Sequence, residues 1–304
     1  MLSLWPVQKI SAEPAQGSLL RKENKITETI TVRGVGRKFV FYLPDKATLP
    51  PQGFPVVFVF HGGRGTALSA QAMSKMHQVG LTEGFIVVYP EGLYKSWNTD
   101  IISTAASKNN VDDVAFFNQM LDYFITHYAI DRHRVYVCGI SNGGHISYYL
   151  TKKSGERIAA LAVVASGLAS EENFQPPQPR PIMVIHGTED KFIPYKGGQG
   201  ERDWYLPVET IVQQFITLNG ASAAAQPYVP YSGFKKTKEV DTFYYEGGPE
   251  GEDVVFIRIN GAGHTWPGGG GYIDFLLGPT SRAISASRAI WEFFKQHRLQ
   301  ESAQ

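Results

Sequence analysis

The amino-acid sequence predicts an α/β protein with a mostly parallel central sheet, an antiparallel start and helices on both faces. From residue 26 onward, short apolar stretches typical of buried strands alternate with helical patterns. Repeated strand–helix–strand units give a parallel sheet that helices cover on both sides. No internal repeat, long charge run or Pro/Ser-rich linker divides the chain. We therefore expect a loosely ordered lead-in at residues 1–25 and a single domain over residues 26–304.

The strands are predicted from apolar runs and from glycine turns. Ile26–Arg33 and Arg37–Leu43, separated by Gly34 and Gly36, are expected to form an antiparallel opening pair. Further strands are expected over Pro55–Phe60, Phe85–Tyr89, Val135–Cys138, Ala159–Val164, Ile182–Ile185, Thr242–Tyr245 and Val254–Ile259.

Four segments are predicted to be helical: Val111–Tyr128, His145–Lys153, Pro207–Leu218 and Ile284–His297. Asn110 is expected to cap the first of them. Asp112 and Asp113 would then lie in its first turn, where carboxylates interact favourably with the helix dipole. The stretch at 196–251 is rich in glycine and aromatic residues and is expected to be the least regular part, at the rim of a cleft.

Composition argues against some classes of partner. A net charge of +1 gives no broad electrostatic reason to expect nucleic acid or an anionic membrane. No apolar run approaches the roughly 20 residues that span a bilayer. The single cysteine, Cys138, cannot form an intrachain disulfide, and its place at the end of an apolar strand favours a buried thiol. The amino terminus has no intact secretory signal, so the chain is either intracellular or has lost a signal.

The most informative motif is G-x-S-x-G at residues 139–143, with Ser141 at its centre. It follows a strand pattern and precedes a helical one, and in that context a strained turn lifts a serine hydroxyl above a parallel sheet. Gly139 and Gly143 lack side chains where strand and helix come together. We therefore predict that Ser141 is a nucleophile. The alternative is a helix-capping serine, which would not need both glycines.

A serine nucleophile needs a base, and a carboxylate that orients the base. In this arrangement the acid and then the histidine follow the serine, on loops after later strands. Asp190 lies in the turn after Ile182–Ile185, with Glu189 as the alternative acid. His264 lies on a glycine-rich loop after Val254–Ile259. We predict Asp190 and His264 as the partners of the serine.

The other seven histidines are expected to have different roles. His61 and His186 end strands as His-Gly pairs and are expected to brace the backbone. His145 follows the serine on a helix and is expected to point away from the attacking face. The remaining four fall in or beside predicted helices and are expected to lie on the surface or in packing contacts: His77, His127, His133 and His297.

The anion that forms when the serine attacks a carbonyl needs preplaced N–H donors. One is expected to be the backbone amide of Asn142, the residue after the nucleophile. The other is expected from the HGGRG loop after Pro55–Phe60, as the amide of Gly63 or of Arg64. The alternative for this loop is an ordinary glycine turn.

Together these motifs resemble the α/β-hydrolase group that holds polyhydroxybutyrate depolymerases and feruloyl or acetyl-xylan esterases (carbohydrate esterase family 1). The matching segments lie in order over about residues 35–298: HGGRG at 61–65, YPEGLYKSWN at 89–98, VDDVAFF at 111–117, GISNGG at 139–144, HGTEDKFIPY at 186–195, GAGHTWPGG at 261–269 and IWEFFKQH at 290–297. The resemblance implies the α/β-hydrolase fold and a triad of Ser141, Asp190 and His264. It also implies hydrolysis of carboxylic esters through an acyl-serine intermediate, with no metal and no organic cofactor.

The resemblance also bears on substrate and location. Secreted relatives commonly carry disulfides, which one cysteine rules out here, although the family as a whole favours export with the signal already removed. Many polymer-degrading relatives carry a separate surface-binding module; only about six residues follow the predicted closing helix, so we expect nothing here that would adsorb to solid polymer. We therefore expect feruloyl or acetyl esters of plant polysaccharide, or related aryl and short-chain esters. The alternative is a polyhydroxybutyrate-type polyester depolymerase; acyl transfer and a non-catalytic binding protein of the same fold are less expected.

Two tryptophans are candidates for lining the acyl or alcohol side of the cleft. Trp266 lies two residues beyond His264, and Trp97 lies on a loop after a strand. The alternative for each is a packed ring with a satisfied N–H group. Trp204 and Tyr205 are candidates for the rim. The expected partner is a small-molecule or polymer-borne ester, and the oligomeric state is not predicted.

Overall fold

The computed structural model describes residues 24–99, 103–169, 174–248, 251–270 and 274–300. Along them lie the strands β1 (Lys25–Val32), β2 (Val35–Tyr42), β3 (Phe54–Phe60), β4 (Ile86–Pro90), β5 (Ile130–Ile140), β6 (Ala160–Val164), β7 (Ile182–Gly187), β8 (Gly198–Gln199), β9 (Trp204–Tyr205), β10 (Gln226–Pro227), β11 (Val240–Tyr245) and β12 (Val254–Ile259). The helices are α1 (Ala67–Ser74), α2 (Met76–Glu83), α3 (Ala105–Lys108), α4 (Asp113–His127), α5 (Asn142–Ser154), α6 (Val208–Leu218), α7 (Asp274–Leu277) and α8 (Ala286–Phe294). Most of the predicted lead-in lies outside the described residues, and the single domain over 26–304 stays a prediction.

Ten of these strands form one sheet with the order β1-β2-β4-β3-β5-β6-β7-β12-β11-β10. Its middle, from β4 to β12, is parallel throughout. At one edge β1 and β2 pair antiparallel, and at the other β11 and β10 add antiparallel strands. The predicted class, a mostly parallel sheet with an antiparallel start, is therefore confirmed.

Helices cover both faces of the sheet, and two apolar layers hold them there. Along β3, Phe58 and its alternate neighbours pack into the layer that α4, α5 and α6 cover. Val57 and Val59 pack into the other layer, beneath α1, α2 and α8. Side chains alternate between the two faces of a strand, so a strand that is buried on both sides must be apolar at every position. The continuous apolar runs of the sequence follow from this arrangement.

The start of α4 differs from the prediction. The side chain of Asp112 caps the helix and accepts a hydrogen bond from the amide of Ala115 at 2.8 Å. Asn110 lies outside the helix with a left-handed backbone (φ +49°), so its predicted capping role is wrong. Asp113 lies in the first turn as predicted, and it is also buried and forms an ion pair with Arg37 at 2.6 Å, which the sequence did not indicate.

Within the part of the chain that the structure describes, no helix combines the length and the apolar character that crossing a bilayer requires.

Candidate active site

Ser141 occupies the turn between the central strand β5 and helix α5, with φ +56° and ψ −125°. This backbone region is unfavourable for a residue with a side chain, and such strain persists only where surrounding structure imposes it. Although Ser141 is the residue before the helix, its side chain makes no capping hydrogen bond. The helix-capping alternative is therefore wrong, and the hydroxyl is left available for another purpose.

Neighbouring backbone imposes this turn. A Cβ atom on Gly143 would collide with the carbonyl of Phe60 on β3, and one on Gly139 would collide with the carbonyl of Gly143. Both glycines of the motif are thus required by close backbone approach, as predicted. The amide of Ser141 also donates to the carbonyl of Val164 at the end of β6, at 3.0 Å. Contacts with β3 on one side and β6 on the other thus hold the turn around Ser141 in place.

Asp190 and His264 lie together beyond the ends of β7 and β12. Nδ1 of His264 is 2.8 Å from Oδ2 of Asp190, and both side chains are buried. The other carboxylate oxygen of Asp190 accepts hydrogen bonds from the amides of Phe192 and Ile193, each at 2.9 Å. Glu189, the alternative acid, is exposed. The structure thus brings the preferred acid and the predicted base into contact.

The carboxyl group of Asp190 is held in its ionised form. Burial alone would raise its pKa, but the charge of His264 and hydrogen bonds from His186 and His264 bring that pKa well below its usual range. An ionised Asp190 requires His264 to donate from Nδ1, so the other ring nitrogen, Nε2, is left as an acceptor for a proton. Nε2 of His186 lies 2.9 Å from the carbonyl of Ile193 and 3.4 Å from Asp190. His186 therefore braces both the turn and the acid.

Ser141, Asp190 and His264 follow the carboxyl ends of parallel strands of the same sheet, and so lie at one edge of it. Among the described residues, the Ser141 hydroxyl makes no hydrogen bond to His264 or to any other group. In unliganded enzymes this bond is often long and tightens only when substrate binds.

The two candidate oxyanion loops differ in which amides they leave available. The amide of Asn142 lies in the first turn of α5, where helical N–H groups have no partner within the helix. In the HGGRG loop, the amide of Arg64 donates to the carbonyl of Lys95 at 2.7 Å, so it is already engaged. The amide of Gly63 has no such partner among the described residues. Of the two predicted second donors, the geometry favours Gly63 over Arg64.

Trp97 and Trp266 do not line an open cleft. Both side chains are fully buried. The indole N–H of Trp97 donates to the carbonyl of His61 at 2.8 Å, and that of Trp266 donates to the hydroxyl of Ser287 at 3.1 Å. The interpretation of these residues as substrate-binding is therefore corrected, and the packed alternative applies to both. Trp97 instead supports the elbow, because its backbone N–H donates to the side-chain oxygen of Asn142 at 2.7 Å.

Two further residues bear on this edge: His145, which was expected to point away from the attacking face, and Arg202, which the sequence did not single out. His145 is buried and its ring lies nearly parallel to that of Tyr205, with the centroids 5.8 Å apart; burial, with the nearby charges of His264 and Arg202, lowers its pKa to about 3. That it points away from the attacking face stays a prediction. The guanidinium of Arg202 lies beside Gly63, with Nη2 3.5 Å from where a Cβ atom would stand on that glycine. By contrast, His61 braces the backbone as predicted, since its Nε2 accepts from the amide of Gly92 at 2.9 Å.

Two other features of the molecule lie outside this site. In the described ranges, no group of three or more His, Cys, Asp or Glu side chains could hold a metal ion. A cavity of about 1350 Å³ in the described part of the chain lies at the opposite ends of the strands, where Arg132, Arg157 and Asp253 line it. None of the three predicted triad residues contributes to that cavity.

Comparisons with known proteins agree with this architecture. A protein of Nocardia uniformis subsp. tsuyamanensis that is named as an esterase is 26% identical over 87% of this chain and 80% of its own length. Feruloyl esterase D of Neurospora crassa is 25% identical over 92% of this chain and 88% of its own length. The structure of an acetyl xylan esterase from Aspergillus awamori superposes with a TM-score of 0.56 at 17% identity, over 79% of this chain and 94% of that one. That likeness shows a shared fold.

The family model of dienelactone hydrolases matches residues 40–202, which is more than half of the 304-residue chain. That range covers the HGGRG loop, the elbow and Asp190. The remaining member of the predicted triad, His264, lies in the loop after β12, the strand that pairs with β7. The chain is an esterase of the α/β-hydrolase fold and belongs to the dienelactone hydrolase family.

Proposed function

We propose that this esterase is a serine carboxylic-ester hydrolase, with Ser141 as nucleophile, His264 as general base and Asp190 as the carboxylate that orients the base. One observation carries the proposal. Ser141 has a strained backbone, and its side chain makes no capping hydrogen bond. It lies at the sheet edge where Oδ2 of the buried Asp190 is 2.8 Å from Nδ1 of His264. A serine hydroxyl is a poor nucleophile at neutral pH, and this arrangement supplies the base that it needs.

The proposed reaction has two halves. Oγ of Ser141 attacks the ester carbonyl while Nε2 of His264 takes its proton, and Asp190 stabilises the imidazolium that forms. The amides of Asn142 and Gly63 donate to the oxyanion. His264 then returns the proton to the leaving alcohol, which gives an acyl-serine. Water attacks this intermediate by the same route and releases the acid.

The proposed substrates are feruloyl or acetyl esters of plant polysaccharide, or related aryl and short-chain esters. The support is the named activity of similar proteins, feruloyl esterase D of Neurospora crassa among them, together with the motifs quoted above. A panel of methyl ferulate, acetylated xylan, tributyrin and hydroxybutyrate oligomers compares these classes directly. The polyester alternative would be favoured if only the oligomers were hydrolysed.

The mechanism is tested with p-nitrophenyl acetate and methyl ferulate. We expect Ser141→Ala to lower kcat by about 10⁶-fold, because the triad acts as a unit. Ser232→Ala, which removes an exposed hydroxyl, is the matched control and should keep full activity. A Ser141→Ala variant that folds and retains the rate of the parent would overturn the proposal.

The acid is tested separately. Asp190→Asn should lower kcat by about 10⁴-fold, as loss of the orienting carboxylate does in other triads. Glu189→Gln changes the exposed neighbouring acid in the same way and should leave kcat unchanged. Equal losses in the two variants would contradict the role of Asp190.

A further inference from the structure

The side chain of Asn142 makes contacts that its proposed part in the reaction does not require. Oxyanion binding uses only the backbone amide of this residue, so that chemistry leaves the side chain free to differ. The residue is nonetheless buried, and its side chain is bound to the backbone of Trp97 at both ends. Its Oδ1 accepts from the amide of Trp97 at 2.7 Å, and its Nδ2 donates to the carbonyl of Trp97 at 3.3 Å. A side-chain amide supplies the acceptor and the donor that this pairing needs.

Trp97 also contacts the loop that is proposed to supply the second amide. Its indole N–H donates at 2.8 Å to the carbonyl of His61, two residues before Gly63. The centroid of the indole lies 4.7 Å from that of the His61 ring and 5.1 Å from that of Phe60. Trp97 is fully buried, so it has no room to move independently of these groups. One residue thus connects the two elements whose amides are proposed to bind the oxyanion.

A buried ion pair holds the loop that carries Trp97. One carboxylate oxygen of Asp113 accepts from Arg37 at 2.6 Å, and the other accepts from the amide of Asn98 at 2.7 Å. Arg37 and Asp113 are 2% and 4% exposed. Such a pair adds little net stability over apolar residues of the same size, because desolvation offsets the attraction. What it does provide is a fixed acceptor for the amide next to Trp97.

The two proposed donors need such a connection because they come from different strands. Asn142 follows β5, whereas Gly63 follows β3, so the turn at Ser141 does not by itself set the distance between their amides. A Cβ atom on Gly63 would stand 3.9 Å from the Cβ atom of Asn142. An oxyanion site is effective only if its N–H groups are already directed at one position. A displacement of about 1 Å can lower a rate about 100-fold.

We propose that Trp97 is a positioning residue that fixes the amide of Asn142 relative to that of Gly63. The ion pair of Arg37 and Asp113 holds Trp97 for this purpose. The inference rests on the proposed function and deepens it, since it names the residues that keep the oxyanion donors aligned. Trp97 acts only through the groups to which it is bonded. Because the oxyanion forms only during the reaction, misalignment should lower kcat and kcat/KM by the same factor.

The first test removes each arm of this connection by itself. Asn142→Ala deletes the side-chain amide and keeps the backbone N–H, whereas Trp97→Phe deletes the indole N–H. Each should lower kcat and kcat/KM for p-nitrophenyl acetate by about 10-fold to 100-fold. The controls make the same changes elsewhere. Asn219→Ala removes two hydrogen bonds of a buried side-chain amide, and Trp291→Phe removes the indole bond to Glu83. Both controls should keep the kcat of the parent.

A transition-state analogue separates positioning from a loss of packing. Oγ of Ser141 can add to the boron atom of phenylboronic acid as its proton passes to His264, which gives a tetrahedral anion that needs the oxyanion donors. Its inhibition constant should rise in Asn142→Ala and in Trp97→Phe by the factor by which kcat/KM falls. Partial unfolding would lower kcat but would leave this constant unchanged, because only folded molecules bind the inhibitor.

The ion pair is tested with two double variants. Arg37→Met with Asp113→Asn removes both charges and keeps an oxygen for the amide of Asn98. Arg37→Met with Asp113→Leu removes that oxygen as well. Replacement of a buried ion pair by uncharged residues often leaves stability unchanged, so both variants are expected to fold. The first should have a kcat at least about threefold higher than the second. Equal kcat values would show that the pair does not act on the loop of Trp97.

The outcomes keep this inference distinct from the proposed mechanism. If Ser141 hydrolyses esters but either Asn142→Ala or Trp97→Phe keeps the kcat and the inhibition constant of the parent, the positioning role is wrong and the proposed function stands. Equal losses in the controls would also overturn it. If Trp97→Phe does not fold, Asn142→Ala decides alone. If no ester is hydrolysed through Ser141, the proposed function is wrong and the positioning role is wrong with it.

Discussion

The elbow around Ser141 and the hairpin of β8 and β9 meet at the same site but are held in very different ways. The elbow joins a central strand to a thirteen-residue helix, and backbone from neighbouring strands encloses it. The hairpin consists of two strands of two residues each, and it exposes 56% of Trp204. The part proposed to perform the chemistry is thus built into the core, whereas the hairpin beside it lies on the surface. Substitutions in the hairpin should therefore change the fold little.

The largest effect should come from a methyl group added to the elbow. Gly143→Ala forces a Cβ atom against the carbonyl of Phe60, and we expect it to lower the free energy of unfolding by about 3 kcal/mol. Gly155→Ala is the matched control, because a Cβ atom there would meet nothing within 4 Å and the backbone is already helical, with φ −60°. Urea unfolding should show the control as stable as the parent or up to about 1 kcal/mol more stable. Equal stability of both variants would contradict the account of the elbow.

An intermediate effect should come from lowering the pH, which acts on histidines buried beside the elbow. Burial lowers the pKa of His61 to about 4, and burial with the charges of His264 and Arg202 lowers that of His145 to about 3. An unfolded histidine has a pKa of about 6.5, so below that pH the unfolded chain binds protons that the folded chain does not. The stability that these residues contribute is complete above about pH 6.5 and is lost as the pH falls towards 4.

Urea unfolding at pH 7, 6 and 5 measures this loss. The free energy of unfolding should fall by up to about 1.4 kcal/mol per pH unit for each such histidine. In His145→Gln, the free energy of unfolding should fall less steeply with decreasing pH, by the contribution of one histidine. A slope that is the same in the parent and in His145→Gln would show that this imidazole is not buried in its neutral form.

The smallest effect is expected on the hairpin. Trp204→Ala removes a side chain that is more than half exposed, so the free energy of unfolding should change by no more than about 0.5 kcal/mol. The measurement is the same urea titration at pH 7. A loss above 1 kcal/mol would mean that Trp204 anchors the hairpin, and the contrast with the elbow would then fail.

The same contrast explains which features of the molecule could be predicted from the sequence. The elbow is encoded locally, because a serine between two glycines after an apolar strand has few other structural solutions. Asp190 and His264 could be singled out as candidates because each lies in the loop after a strand, and the ends of parallel strands meet at one edge. These signals depend on a handful of neighbouring residues. The fold class and the contact between Asp190 and His264 could therefore be predicted.

Other residues depended on contacts that are distant in the chain. Trp97 and Trp266 were candidates for the cleft because of their residue type and position, and only their packing shows that they are buried. Asp113 begins a helix as predicted, yet it pairs with Arg37, 76 positions away. Arg202 lies in a short hairpin with no strong pattern, so its place beside Gly63 could not be inferred. Such properties belong to the assembled molecule.

The single cysteine, Cys138, can report on the opening of the strand that precedes Ser141. Cys138 is fully buried in β5, three positions before Ser141, and burial raises the pKa of its thiol. Alkylating reagents require an exposed thiolate, so the native chain reacts only when this strand separates from its neighbours. The rate at which the thiol of Cys138 is labelled would thus follow the local unfolding of the strand that leads to Ser141, without any engineered probe.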